Sequence, residues 1–195
     1  MRTIEKTIYN YSELSEKSKE HARQKYAWDD FYNESITENM EQTLMDHGYA
    51  DVKVNWSLSS CQGDGVSFTC EYYGRDNELR AILNRIYGSN IPKNTNRILP
   101  FIQVSYSRFN SHYVHEKTVR VSIEIVENYT GNIDHVEKTI EELERILEID
   151  RLNLCSILEK QGYSEIEYYN SEECFQENCE ANECEFYENG EMYKG

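Results

Sequence analysis

Positive charge is scarce in this chain. Twenty lysines and arginines stand against 36 aspartates and glutamates in 195 residues, a formal net charge of −16. Proteins that hold nucleic acid gain affinity by neutralising phosphates with Lys and Arg. Direct nucleic-acid binding is therefore disfavoured, and binding to an anionic membrane surface with it. Long apolar runs are also missing: no stretch approaches the roughly 20 residues of a membrane helix. The opening MRTIEKTIYNYSEL has no apolar signal-peptide core, so a soluble, cytoplasmic protein is the expectation. In that compartment the six cysteines are expected as reduced thiols. No HxH or HExxH spacing is present to fix a metal centre.

Hydrophobic residues make up 38% of the chain, below the usual share of about 45–50%. They are grouped into periodic runs, so a thin core rich in aromatics is expected. Sixteen tyrosines supply much of it, since Tyr adds apolar area while keeping a hydroxyl for the wet edge.

Residues 4–11 suit a short strand, with Ile4 and Ile8 apolar. A charged helix follows from Ser12 or Ser15 to about residue 28, its narrow stripe made of Leu14, Ala22, Tyr26 and Trp28. Ser35 and Glu38 have capping-box spacing, and Ile36, Met40 and Leu44 predict a second helix that Gly48 ends. The period then changes to two. Val52, Val54, Trp56 and Leu58, then Val66, Phe68, Cys70 and Tyr72, flank a Gly-rich connection and read as an antiparallel hairpin. Within that connection Asp64-Gly65 is a recognised hairpin turn pair. A third helix spans 76–87, capped by Asp76 or Asn77 and stopped by Gly88. Its buried stripe is Leu79, Ile82, Leu83 and Ile86. Ile102, Val104 and Tyr106, then Val119, Val121, Ile123 and Ile125, predict a second hairpin. A long amphipathic helix over 133–161 carries Val136, Ile140, Leu143, Leu147, Leu154 and Ile157, with Asp150 interrupting the seam.

From Ser164 the composition shifts to ten glutamates and one lysine, interleaved with aromatics. A short helix near 171–181 and an extended piece near 184–193 are expected. The fold class is α+β: an antiparallel sheet of about four strands, in two hairpins, packed against helices. The expected division is a domain over 1–163 and an acidic, aromatic-rich segment over 164–195 packed on the same domain.

Four stretches carry a resemblance. ELSEKSKEHARQKY, WSLSSCQGDGVSF, SHYVHEKTVRVSI and ANECEFYENGEMY resemble, in order, segments of a family of small acidic proteins encoded by phages and prophages, with a Gln-Gly-Asp-Gly hairpin and a Tyr-x-His-Glu motif. Members of that family are sometimes labelled antitoxin-like. The cysteines at 174, 179 and 184 depart from its pattern. The resemblance implies a mobile-element context, a host-cell cytoplasm and, by analogy, antagonism of host defence enzymes.

Three constellations stand out. Asp64, His115 and Glu116 fall in hairpin loops and are the candidates for a metal or acid–base set; turn chemistry is the competing reading. The same loop is a poor phosphate cradle, having no helix directly after it and no suitably placed Lys. Cys61 would need His112 or His115 within reach to act as a nucleophile. Cys174, Cys179 and Cys184 repeat at five-residue spacing, which on a helix turns each thiol by about 140° from the last, against a shared metal site.

The acidic tail offers carboxylates that can stand in for phosphates and aromatics that can anchor a partner. Glu172, Glu173, Glu177, Glu180, Tyr187 and Glu188 are the candidate partner-binding residues. The leading expectation is a non-enzymatic accessory protein that needs no cofactor. It would bind and inhibit a host protein with a basic, nucleic-acid-binding surface, such as a defence nuclease of the restriction or CRISPR type. The alternatives are a small metal-dependent hydrolase or nuclease using Asp64, His115 and Glu116, and an antitoxin held by its toxin.

Overall fold

The structure is a computed structural model that describes residues 6–26, 32–88, 90–110, 112–126 and 133–194, without the side chains of 133–135. Ile4 and Trp28, assigned above to the first strand and helix, lie outside the described residues. The chain divides into two compact units. A central unit comprises Ser35–Tyr163, and a terminal unit combines Met1–Glu34 with Ser164–Gly195. The break at Ser164 coincides with the shift in composition, but the first 34 residues group with the tail rather than with the domain that follows them.

The central unit is built on a four-stranded antiparallel sheet in the order β2 (Lys53–Ser57), β3 (Gly65–Tyr73), β4 (Ile102–Arg108), β5 (Val119–Ile125). Both expected hairpins are present. They are joined because β3 also pairs with β4, with Tyr72 opposite Val104. Helix α2 (Asn33–Asp46) leads into β2, α3 (Asn77–Tyr87) and α4 (Lys93–Ile98) lie between β3 and β4, and α5 (Ile133–Tyr169) follows β5. Period-two alternation sends Val66, Phe68, Tyr72, Val104, Tyr106, Val121 and Ile123 inward, where they are buried. Ile36, Met40 and Leu44 of α2, Leu79, Ile82 and Leu83 of α3, and Leu143, Leu147, Leu154 and Leu158 of α5 are buried in the same unit. Each such side chain contributes about 1.5–3 kcal/mol by leaving water.

Helix α2 begins at Asn33, two residues before the expected Ser35 cap, so Ser35 lies inside the helix. Its end is as expected. Gly48 takes φ +89, its N–H donates to the Met45 carbonyl, and the Tyr49 N–H donates back to the Leu44 carbonyl at 3.0 Å. This pattern of two return bonds around a left-handed residue is a Schellman end, which brings the side chain after the turn onto the last buried turn of the helix. Here those residues are Tyr49 and Leu44, both fully buried.

The seam of α5 departs from the reading in two places. Ile157 is exposed at 45%, and Leu158 takes its place in the core. Arg151 sits fully buried in the same seam. Its guanidinium holds Glu148 through two bonds, Nε to Oε2 at 3.0 Å and Nη2 to Oε1 at 2.5 Å, and donates Nη1 to the Glu116 carbonyl at 2.8 Å. A buried charge is tolerated only when its donors are engaged. Asp150 does not merely interrupt the seam. It accepts two bonds from Arg85 and one from the Tyr49 hydroxyl, which also bonds the Tyr106 hydroxyl at 3.1 Å.

The terminal unit joins both ends of the chain. Strand β1 (Tyr9–Asn10) pairs with β6 (Glu185–Phe186), Tyr9 opposite Phe186. The first expected strand is thus confined to two described residues, since Tyr11–Glu13 forms a 3-10 turn. Helices α1 (Glu16–Tyr26) and α6 (Glu172–Ala181) complete the unit. The Ser171 hydroxyl caps α6 by accepting from the Cys174 N–H. The expected extended piece over 184–193 instead reverses: Gly190 N–H donates to the Tyr187 carbonyl, and Met192 bridges back to Phe186. A small aromatic core of Tyr11, Leu14, Ala22, Phe175, Cys179 and Phe186 holds the unit together. Tyr11 packs edge-on against Phe175 and Phe186, with centroids 5.0 and 6.0 Å apart.

Candidate functional site

The Gly-rich loop of the first hairpin is organised by Asp64. Its Oδ1 accepts from the Ser57 hydroxyl at 2.6 Å, and its Oδ2 accepts from the backbone N–H groups of Ser59 and Cys61 at 2.8 and 2.6 Å. These donors, the Ser57 hydroxyl foremost, hold the carboxyl below the usual range. The turn is longer than a two-residue hairpin. Ser57 pairs with Gly65, and residues 58–64 form the loop between them.

The meander order places the second hairpin's loop at the same end of the sheet. Gly63 shows how close it comes. A Cβ there would lie 2.1 Å from Cδ1 of Tyr113, and φ is +91, so only glycine fits. Tyr113 lies between the two histidines, its ring centroid 4.5 Å from that of His112 and 5.8 Å from that of His115.

Proximity of the loops does not make a ligand set. Both oxygens of Asp64 face its own loop. His115 Nδ1 accepts from the Lys117 N–H at 3.2 Å and stands 4.0 Å from Glu116 Oε2. Among the described residues, no group of three or more His, Cys, Asp and Glu side chains could hold a metal ion. Cys61 directs its thiol to the Ser59 carbonyl at 3.7 Å. Asp64 is therefore the residue that shapes the loop, and Glu116 contributes its carbonyl to Arg151.

The acidic candidates lie in the terminal unit, which carries seventeen acidic and seven basic residues. Part of that charge is neutralised internally. Glu172 stands 3.7 Å from both Lys19 and Arg23 of α1. Glu191 gathers Lys25, His21 and the Tyr26 hydroxyl at 2.5, 3.1 and 2.9 Å. Lys25 first, then His21 and Tyr26, pull the Glu191 carboxyl down from the ordinary 4.5 to about 2. Tyr187 is half-buried, and its hydroxyl accepts from Lys6 at 3.2 Å.

Glu173, Glu177, Glu180 and Glu188 are exposed. The first three recur at spacings of four and three residues on α6 and share one face. Glu177 accepts from the Tyr168 hydroxyl at 2.6 Å, and Glu180 from Gln176 at 2.8 Å. The basic residues of α1 were not singled out from the sequence. They sit more than 140 positions from their partners in the chain, and only the pairing of the two termini brings them together.

These features define an α+β protein with a four-stranded antiparallel sheet whose two hairpin loops meet at one end, and an acidic helix in its terminal unit. The chain belongs to the family described as Domain of unknown function (DUF8835), whose model matches residues 28–160. That span nearly coincides with the central unit. No curated protein and no solved structure matches the chain.

Proposed function

We propose that this protein is a non-enzymatic accessory protein of the phage type. It binds and inhibits a host protein with a basic, nucleic-acid-binding surface, a defence nuclease being the leading target class. One observation carries this reading: Glu173, Glu177 and Glu180 line a single exposed face of α6. A rigid helix presents them at fixed spacing, as phosphates recur along a nucleic-acid backbone. The excess negative charge steers a basic partner toward this face, and the residence time is set by close contacts. Glu188 adds to the same charge. Glu172 and Tyr187 act within the unit, the first holding α1 and the second Lys6. No helix among the described residues is long and apolar enough to cross a membrane.

Immobilised full-length protein and its E173Q/E177Q/E180Q variant, exposed to host lysate at low salt, test the reading. Capture of a nucleic-acid enzyme by the parent alone, released by salt and by competing duplex DNA, supports it. A complex indifferent to salt, to DNA and to the three substitutions ends it.

A further inference from the structure

The three evenly spaced cysteines do not behave alike once folded. Cys174 and Cys179 both lie on α6 and are buried, turned by about 140° from one another. Cys184 lies beyond the helix, where the chain turns back. The Glu183 N–H donates to the Glu180 carbonyl at 3.2 Å, and the Cys184 N–H returns to the Cys179 carbonyl at 2.8 Å. Glu183 between them has φ +50. This is a second Schellman end, and its geometry sets the residue after the turn against the last buried turn of the helix. The pair that meets here is Cys184 and Cys179: Cys184 packs against the buried cluster that contains Cys179, and both line one cavity. Both are free. Beside them opens a cavity of about 490 Å³ lined by Tyr11, Cys179, Glu180, Glu183, Cys184 and Glu185, among others. The Tyr11 hydroxyl is buried and has no hydrogen-bond partner among the described residues.

We propose that Cys179 and Cys184 form a reversible dithiol–disulfide site that exchanges with small-molecule disulfides entering this cavity. Cys184, the more accessible of the two, attacks first as its thiolate. The S–S bond of the small disulfide breaks, a bond forms from Cys184 to one half, and the other half leaves as a thiol. Cys179 then loses its proton and attacks the Cys184 sulfur. The second half leaves as a thiol, and a Cys179–Cys184 disulfide remains. The protein gives up two electrons and two protons, and one small disulfide becomes two thiols. Burial and the neighbouring Cys184 push the Cys179 thiol up to about 12, which keeps it protonated at neutral pH and leaves the first attack to Cys184; the second step relies on the target being held beside Cys179. Three glutamates rim the cavity, so a cationic disulfide such as cystamine reacts faster than anionic oxidised glutathione.

Equal spacing supplies the control. In urea the chain has no reason to prefer residues 179–184 over 174–179, and cystamine should yield both links in comparable amounts. Folded full-length protein should yield the 179–184 link with at least a several-fold preference, read by peptide mapping after blocking free thiols. Comparable amounts of both links in the folded protein, or a mixed disulfide that stays on Cys184 beside an alkylatable Cys179, would overturn the proposal. C179S should trap the mixed disulfide at residue 184. Should that buried substitution unfold the unit, C184S keeps the test alive, because it must abolish the link and leave Cys179 unmodified. At low salt cystamine should outpace oxidised glutathione several-fold, a gap that narrows as salt rises. Equal rates would remove the acidic rim from the proposal.

Discussion

Helices α2 and α6 end in the same backbone motif but close it with different residues, and the contrast extends to the units they belong to. In the central unit the left-handed position is Gly48, and the residues it brings together are Leu44 and Tyr49, both fully buried. In the terminal unit that position is Glu183, and the pair is Cys179 with the partly exposed Cys184. The first arrangement seals a core with a residue that adopts positive φ freely. The second holds a non-glycine residue in a conformation that costs roughly 1–2 kcal/mol and leaves a reactive side chain at a cavity. The buried charge of the central unit sits in a two-bond Arg–carboxylate pair, whereas the terminal unit is tied across its surface by Glu172 and Glu191. Surface pairs contribute little each, so the terminal unit should yield first.

The largest effect is expected at Arg151. Replacement by Ala leaves the Glu116 carbonyl and Glu148 without their donor. It should cost about 3 kcal/mol, the low end for a broken buried pair because Glu148 is partly exposed. R151M fills the space without a charge and should recover much of that loss in a urea titration. If R151A costs under about 1 kcal/mol, the size of a surface pair, the contrast between the units breaks.

E183G should act in the opposite direction. Glycine relieves the left-handed strain and stabilises the terminal unit by about 1 kcal/mol, less the entropy it adds to the unfolded chain. Thermal unfolding of the two variants side by side reads this. G48A should destabilise, since Gly48 already occupies the same conformation with the residue that suits it. Stabilisation by G48A would show that the two ends are not the same motif.

The smallest effect concerns pH. Glu191 is held below its ordinary range when folded, so its contribution is fully present above about 4.5 and is lost as pH falls toward about 2. Amide exchange at Tyr187, Gly190 and Tyr193, whose N–H groups close the final turn, should accelerate relative to the intrinsic exchange rate at each pH across that window. E191Q should produce the same acceleration at neutral pH. Exchange unchanged by either would mean that the aromatic core alone holds the terminal segment.

Much of the central unit was legible from periodicity. Alternation at 52–58 and 66–72, and again at 102–106 and 119–125, located all four strands because apolar side chains recur at every second position in each. Gly48 and Gly88 marked helix ends because positive φ is costly for other residues. Arg151 was not legible: a charged residue in an apolar seam reads as solvent-facing until its partners, Glu148 and a carbonyl 35 residues away, are in place. Asp64 was found for its position between two glycines, and its hydrogen bonds decided that it shapes the turn.

The class of fold, the order of its elements, the acidity and the abrupt change of composition at Ser164 all follow from local pattern and count. The tertiary structure decided which carboxylates are neutralised and which face outward, and which two of three evenly spaced thiols meet. The physical reason is the same in both cases. Those outcomes depend on contacts across a reversal of the chain or between its two ends, and no local periodicity encodes the distance between residues that meet only after the backbone has turned.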